Sequence, residues 1–295
     1  MKLSKQLKID LSGYLFILPN IIGVLLFFII PILFSLVISF TDWDFTMGIG
    51  NWNFVGFQNF IDIWQDQWFV SSLLNTLLLS FVSVFFIIII SIVFATIVDT
   101  YCYGSVAMRL AMFIPKISNI VAISIIWVMM YSPWGPVTQL LKLVGVQNPP
   151  KFLGDYTWAL PAIIIMMIWS GIGYAVMIYS AALQGLPKEV YEAAEIDGAG
   201  AFTKFFHLTI HFLSPTTFFL VVTTLISMFQ VFAPIQLMTQ GGPGTSSSVL
   251  VYYIYTSAFS FYKMGYAAAM SWILFLLLFG VTLFQWKNQK RWVNY

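Results

Sequence analysis

The chain has 295 residues, 60% of them hydrophobic and only 8% charged, with a formal net charge of +2. So little charge cannot cover a water-soluble surface of this size, which excludes a soluble domain and places the chain in a lipid bilayer. The small positive balance gives no footing for nucleic acid, and a single cysteine, Cys102, excludes a disulfide framework and a cysteine metal cluster.

The pattern predicts an all-α polytopic membrane protein, one domain over 1–295 with about six transmembrane helices. A spanning helix needs ~20 apolar residues, and uncharged runs place the spans at about 13–40, 70–98, 110–131, 157–183, 208–238 and 264–286. Residues 1–10 are a short basic lead. The apolar run after Lys8 is too long for a cleavable signal and lacks a small-residue cleavage site. Pro19 and Pro31 each remove a backbone donor from the first span, which is expected to bend. Loop 41–67 sets Trp43, Trp52, Trp64 and Trp68 beside Asp42, Asp44, Asp62 and Asp66, an aromatic belt at a membrane surface.

In the third span Lys116 is costly unless it snorkels to the interface or meets an anion, and a place near one end favours snorkelling. Loop 132–156 holds the turn formers Ser132-Pro133-Trp134-Gly135 and Asn148-Pro149-Pro150. The fourth span carries Trp169-Ser170-Gly171-Ile172-Gly173-Tyr174. Two glycines two apart suit close helix packing, while an aromatic platform beside neutral hydroxyls also suits a sugar.

Residues 184–206 interrupt the apolar runs with Glu189, Glu192, Glu195 and Asp197. Pro187 opens a helix, its first turns favour carboxylates, and Asp197-Gly198 ends it, so a helix, a tight turn and a second amphipathic helix are expected. In the fifth span Thr223, Ser227 and Gln230 share a stripe at helical spacing with Thr224 beside it, although such hydroxyls also bond their own helix. Gln240 to Ser246 then break the run, leaving 249–262 as an interfacial or re-entrant helix.

Lysine and arginine give the orientation. With an even number of spans, both termini share a side with Arg109, Lys188 and Lys204, whereas the opposite side begins with an acidic loop lacking basic residues. The positive-inside rule puts the termini and the 184–206 loop in the cytoplasm.

Glu192-Ala193-Ala194, Asp197-Gly198-Ala199, Phe205, Ile210, Leu213 and Pro215 resemble the EAA loop in membrane-spanning subunits of bacterial ATP-binding-cassette importers. Val55 to Phe60, the R-x-x-x-F-x-P run from Arg109, and Leu237 to Pro243 are similar to elements of the carbohydrate permeases among them, of maltose, glycerol-3-phosphate and multiple-sugar type. The resemblance implies that Glu192, Ala193, Ala194, Asp197, Gly198 and Ala199 seat in a separate cytoplasmic ATPase. Ser170, Gly171, Tyr174, Thr223, Thr224, Ser227 and Gln230 would contact the sugar. Gly241, Gly242 and Pro243 would meet an extracytoplasmic solute-binding protein. It further implies a second, homologous but different permease subunit and two ATPase copies in the bacterial inner membrane, with ATP and Mg bound by the ATPase and no cofactor on this chain. Maltose-type members carry asparagines where this chain has Met228 and Val231, implying another substrate. His211 replaces a usual proline, so a less kinked entry to the fifth span is expected.

The sequence has no G-x-x-x-x-G-K-[ST] phosphate loop, no carboxylate pair in a span and no Ser-His pair, so no catalytic role is expected. His207 and His211 lie one turn apart but lack further metal ligands. An ion-coupled secondary transporter is the competing reading; it wants ionisable groups at mid-membrane, and Asp and Glu occur only at the ends of the spans.

Overall fold

The computed structural model describes residues 5–48, 50–101 and 104–291. Cys102 and the Lys2 end of the basic lead lie outside them. Helices follow one another as α1 (Lys5–Val24), α2 (Ile30–Ile38), α3 (Gln58–Gln65), α4 (Gln67–Tyr101), α5 (Ser105–Ile117), α6 (Ile120–Met130), α7 (Pro136–Leu143) and α8 (Ala159–Gln184). Beyond these come α9 (Lys188–Ile196), α10 (Ala201–Lys204), α11 (Ile210–Phe212), α12 (Ser214–Phe229), α13 (Ala233–Met238), α14 (Leu250–Phe259) and α15 (Met264–Asn288). Extended pairing among the described residues is confined to the isolated bridges Thr41–Phe54 and Asp44–Lys263.

Among the described residues four stretches are long and apolar enough to cross a membrane unaided: Gly13–Ile38, Gln67–Asp99, Ala159–Gln184 and Met264–Asn288. The pairs Ser105–Ile117 with Ile120–Met130, bent by 97°, and Ala201–Phe212 with Ser214–Phe229, bent by 64°, bring the number to six if each counts as one crossing. The expected third span is therefore two helices meeting at Ser118-Asn119. In the first stretch a π turn at Leu25–Ile29 precedes Pro31. It contains Phe27, whose carbonyl would clash with the proline ring in an α turn.

The fifth stretch is broken twice. The entry to the fifth stretch bends by 64° with His211 in place, and Pro215 accounts for the bend. The proline lacks the N–H that would bond the His211 carbonyl four residues back, and Ser214 Oγ donates to that carbonyl at 2.7 Å. At the far end α12 stops at Phe229 and α13 starts at Ala233, with Pro234 in its first turn.

By Cα packing the chain forms two compact units. The first holds residues up to Gln65 together with Ile254–Ile273. Asn59 Nδ2 there donates to the Ser39 and Thr41 carbonyls at 2.9 and 2.8 Å, pinning α3 to the end of α2. The Asp42 carboxylate accepts the Asn53 backbone N–H at 2.6 Å and its amide at 3.0 Å, which holds the Asp42 pKa below the ordinary carboxylate value. Trp43 is buried with Ile38 and Ala268. This tryptophan is therefore core, while Trp64 remains exposed.

The second unit, residues 66–253 with 274–295, is built on α4 and α8. Ile87, Ile163, Met166, Tyr179 and Leu220 are fully buried in its core. A Cβ at Gly173 would lie 1.7 Å from the Met112 carbonyl oxygen, so the bare glycine is what allows α5 to lie against α8. The predicted remainder at 249–262 is helical, as α14.

Candidate functional site

The 184–206 segment folds as the sequence predicts, and its hydrogen bonds explain the spacing of its residues. At the end of α9, Ala199 N donates to the Ala194 carbonyl at 2.8 Å and Gly198 N to the Glu195 carbonyl at 3.0 Å. These are the two bonds of a Schellman cap, which requires a left-handed residue between them; Gly198 has φ +80°. Ala194 and Gly198 must thus stand four apart for the turn to close. Glu192, Ala193, Asp197 and Gly198 are exposed, with Ala194 and Ala199 half-buried. Two apolar side chains stand out of the same hairpin, Ile196 at 87% and Phe202 at 82% exposure.

Tyr191 joins the hairpin to the membrane helices. Its hydroxyl is 3.1 Å from Thr209 Oγ1, and Thr209 is buried in the π turn Phe205–Thr209 that leads to the 64° bend. Beside it a cavity of about 530 Å³ is lined by Asp99, Ser105, Arg109, Tyr191, Glu192 and Thr209, among others. Arg109 Nη1 meets Asp99 Oδ1 at 3.0 Å, tying α5 to α4.

Half-way along α8, Ser170 is buried and Gly171 and Tyr174 are half-buried. A Cβ at Gly171 would meet Ile87 Cδ1 at 2.5 Å, so this glycine also packs on α4. On α12 the Thr223 hydroxyl donates to the Phe219 carbonyl at 2.8 Å and the Ser227 hydroxyl to Thr223 at 3.0 Å. Both hydrogens are spent on the helix, leaving oxygens that can still accept. Thr224 is half-buried beside them. Gln230 is exposed but lies past the last residue of α12, so the predicted stripe ends at Ser227.

At the other end of the same unit, Gly241 is buried with φ +77°, and a Cβ there would meet Tyr252 Cε1 at 2.6 Å. Gly242 and Pro243 are half-buried and joined by a cis peptide bond. Asn75 of α4 donates to the Thr245 and Ser248 carbonyls at 2.9 Å each, and Ser247 Oγ to the Gly242 carbonyl at 2.7 Å. The turn is a fixed platform held from α4.

Residues 103–292 match the family model described as the binding-protein-dependent transport system inner membrane component. The chain belongs to this family. The permease is 32% identical to the probable ABC transporter permease protein YesP of Bacillus subtilis, over 100% of this chain and 96% of that protein. It is also 32% identical to the sn-glycerol-3-phosphate transport system permease protein UgpA of Pectobacterium atrosepticum, over 96% and 95% of the two chains. A chain in the crystal structure of a bacterial alginate ABC transporter, in complex with an alginate pentasaccharide-bound periplasmic protein, superposes with a TM-score of 0.83 and 26% identity. That match covers 99% of the permease and 98% of the solved chain.

Sequence reasoning missed three features of the permease. The Asn75 anchor joins residues 170 and 173 apart in the chain, and the Tyr191–Thr209 contact bridges 18 residues across the hairpin turn; no sequence pattern marks either. The third had a visible signal: Asn119, a capping residue ahead of the apolar run Ile120–Met130, is the N-cap of α6 and accepts from Val121 N at 2.8 Å. Among the described residues no group of His, Cys, Asp and Glu could hold a metal ion.

Proposed function

We propose that the permease is one of two homologous, non-identical membrane subunits of an ATP-driven importer that carries a sugar or oligosaccharide into the cytoplasm. Two copies of a cytoplasmic ATPase bind ATP and Mg, and one of them grips this chain's hairpin at Glu192, Ala193, Ala194, Asp197, Gly198 and Ala199. A solute-binding protein delivers substrate to the opposite face, at the Gly241-Gly242-Pro243 platform. The termini are cytoplasmic, and the chain carries no catalysis of its own. The observation behind this reading is the hairpin itself: a Schellman-capped helix with Glu192, Ala193 and Ile196 exposed, followed after the turn by the exposed Phe202, and linked through Tyr191 to the bent fifth span.

Closure of the ATPase pair would pull on α9, and the Tyr191–Thr209 link would pass that pull to the bend before α12. The space around Gly198 is open, so a side chain there meets no neighbour, but at φ +80° it is strained. In the assembled transporter, Gly198→Asp is expected to insert normally and to lose uptake while ATP hydrolysis continues. Uptake at the wild-type rate in that variant would count heavily against the assigned role. The ion-coupled alternative separates cleanly: uptake into vesicles that needs ATP and the binding protein, and survives collapse of the ion gradients, excludes it.

A further inference from the structure

The bend between α5 and α6 leaves Ser118 and Asn119 outside helical geometry, and both are exposed. Irregular backbone at membrane depth is stable only where protein covers it or water reaches it, and broken helices of this kind line transport sites. Lys116 stands in the last turn of α5 just before this break. It follows Arg109 by seven residues and Met112 by four, and Met112 is the residue whose carbonyl faces Gly173 of α8. Lys116 therefore lies on the α8-facing stripe, off the exposed apolar stripe of Val106, Leu110, Ile114 and Ile117.

Its Nζ sits 5.6 Å from the centre of the Tyr174 ring, within cation–π range. Tyr174 is ten residues from Gln184, the last residue of α8, so at ~1.5 Å per residue the backbone that carries this ring lies about 15 Å inside that end. That is more than a lysine stem spans, so the snorkelling expected from the sequence does not account for it. Among the described residues Lys116 forms no ion pair. The carbonyls ending α5 favour a cation in its last turn, yet they do not explain an exposed ammonium held over an aromatic face at mid-span. A charge there is costly against lipid and stable against water or an anion.

We infer that Lys116 and Tyr174 form a subsite for an anionic group, so the solute carried is a saccharide or polyol bearing a carboxylate or a phosphate. The ring receives the C–H face and the ammonium the charge. This rests on the importer reading above and narrows its substrate class.

The test uses the complete transporter in proteoliposomes with its binding protein. Four probes are compared: a uronic-acid disaccharide, its carboxyl-reduced counterpart, sn-glycerol 3-phosphate and glycerol. Wild type is expected to take up one of the charged probes and not its neutral counterpart, and which one moves tells carboxylate from phosphate. Lys116→Gln should raise the KM for that probe at least tenfold and Lys116→Arg should restore most of it. Equal KM values in wild type and Lys116→Gln, or preferential uptake of a neutral probe by wild type, overturn the subsite and leave the importer reading standing. Failure of wild type to import any saccharide or polyol with ATP overturns both. Independently of uptake, Lys116→Cys in a Cys102→Ser background should react with a water-soluble, membrane-impermeant thiosulfonate in the assembled complex. An unreactive thiol places the position against lipid and sinks the proposal.

Discussion

Tyr191 is half-buried, with Val190 and Ala194, on a helix whose other residues are exposed, and its hydroxyl reaches Thr209 at 3.1 Å. One neutral hydrogen bond of this kind contributes about 1 kcal/mol to stability, too little to hold the fold. Its position matters more than its strength, because Thr209 also lies 3.4 Å from the Lys204 carbonyl and so touches both ends of the π turn. The Lys204–Glu195 ion pair beside it is exposed on the carboxylate side, and a pair of that kind adds ~0–1 kcal/mol. Tyr191→Phe should therefore leave the thermal midpoint of the assembled transporter almost unchanged. The ATP hydrolysed per molecule imported should rise severalfold, and Thr209→Val should copy the effect. An unaltered ratio in both variants would show that movement reaches α12 by another route.

At the scale of elements, the spans were legible as apolar runs and the hairpin as a local pattern, since cap, turn and helix all lie within about two dozen consecutive residues. The breaks in the fifth stretch were not, and that in the third left only the Asn119 cap as a signal. Hydropathy measures how long a run is and says nothing about whether its backbone is continuous. Proline does not settle the matter alone: Pro19 sits inside α1 without ending it, whereas Pro234 begins a new helix. The candidate substrate positions show the same limit. Gly171 and Gly173 look alike in sequence, but an added methyl meets the tip of Ile87 in one case and the Met112 backbone in the other. A side-chain tip can rotate away and a helix backbone cannot, so Gly173→Ala should cost about 1–3 kcal/mol by overpacking. Gly171→Ala should cost much less. Thermal melting of the purified complex checks the difference; equal losses at the two positions would show that α5 and α4 yield alike. If Gly171→Ala also leaves uptake unchanged, Gly171 is a packing residue and not a sugar contact.

For the whole chain, the importer reading requires the hairpin and the Gly241–Pro243 platform to face opposite sides of the membrane. The basic residues argue for this, with Lys188 and Lys204 in the hairpin loop and an acidic first loop on the other side. Within the second unit α8 separates the two sides, because loop 132–158 leads into it and the hairpin leaves it. Two exposed residues report on them: Phe202 at 82% and Trp134 at 86%. With Cys102 replaced by serine, Phe202→Cys should react with an impermeant maleimide in inverted vesicles and not in right-side-out ones, and Trp134→Cys should do the reverse. Apolar side chains as exposed as Ile196 and Phe202 on a polar loop call for a partner surface, so adding the ATPase subunit should protect Phe202→Cys and leave Trp134→Cys reactive. Labelling of both positions from one side would remove the physical basis for drive by a cytoplasmic ATPase. Correct sidedness without protection would move the grip of the ATPase away from this hairpin.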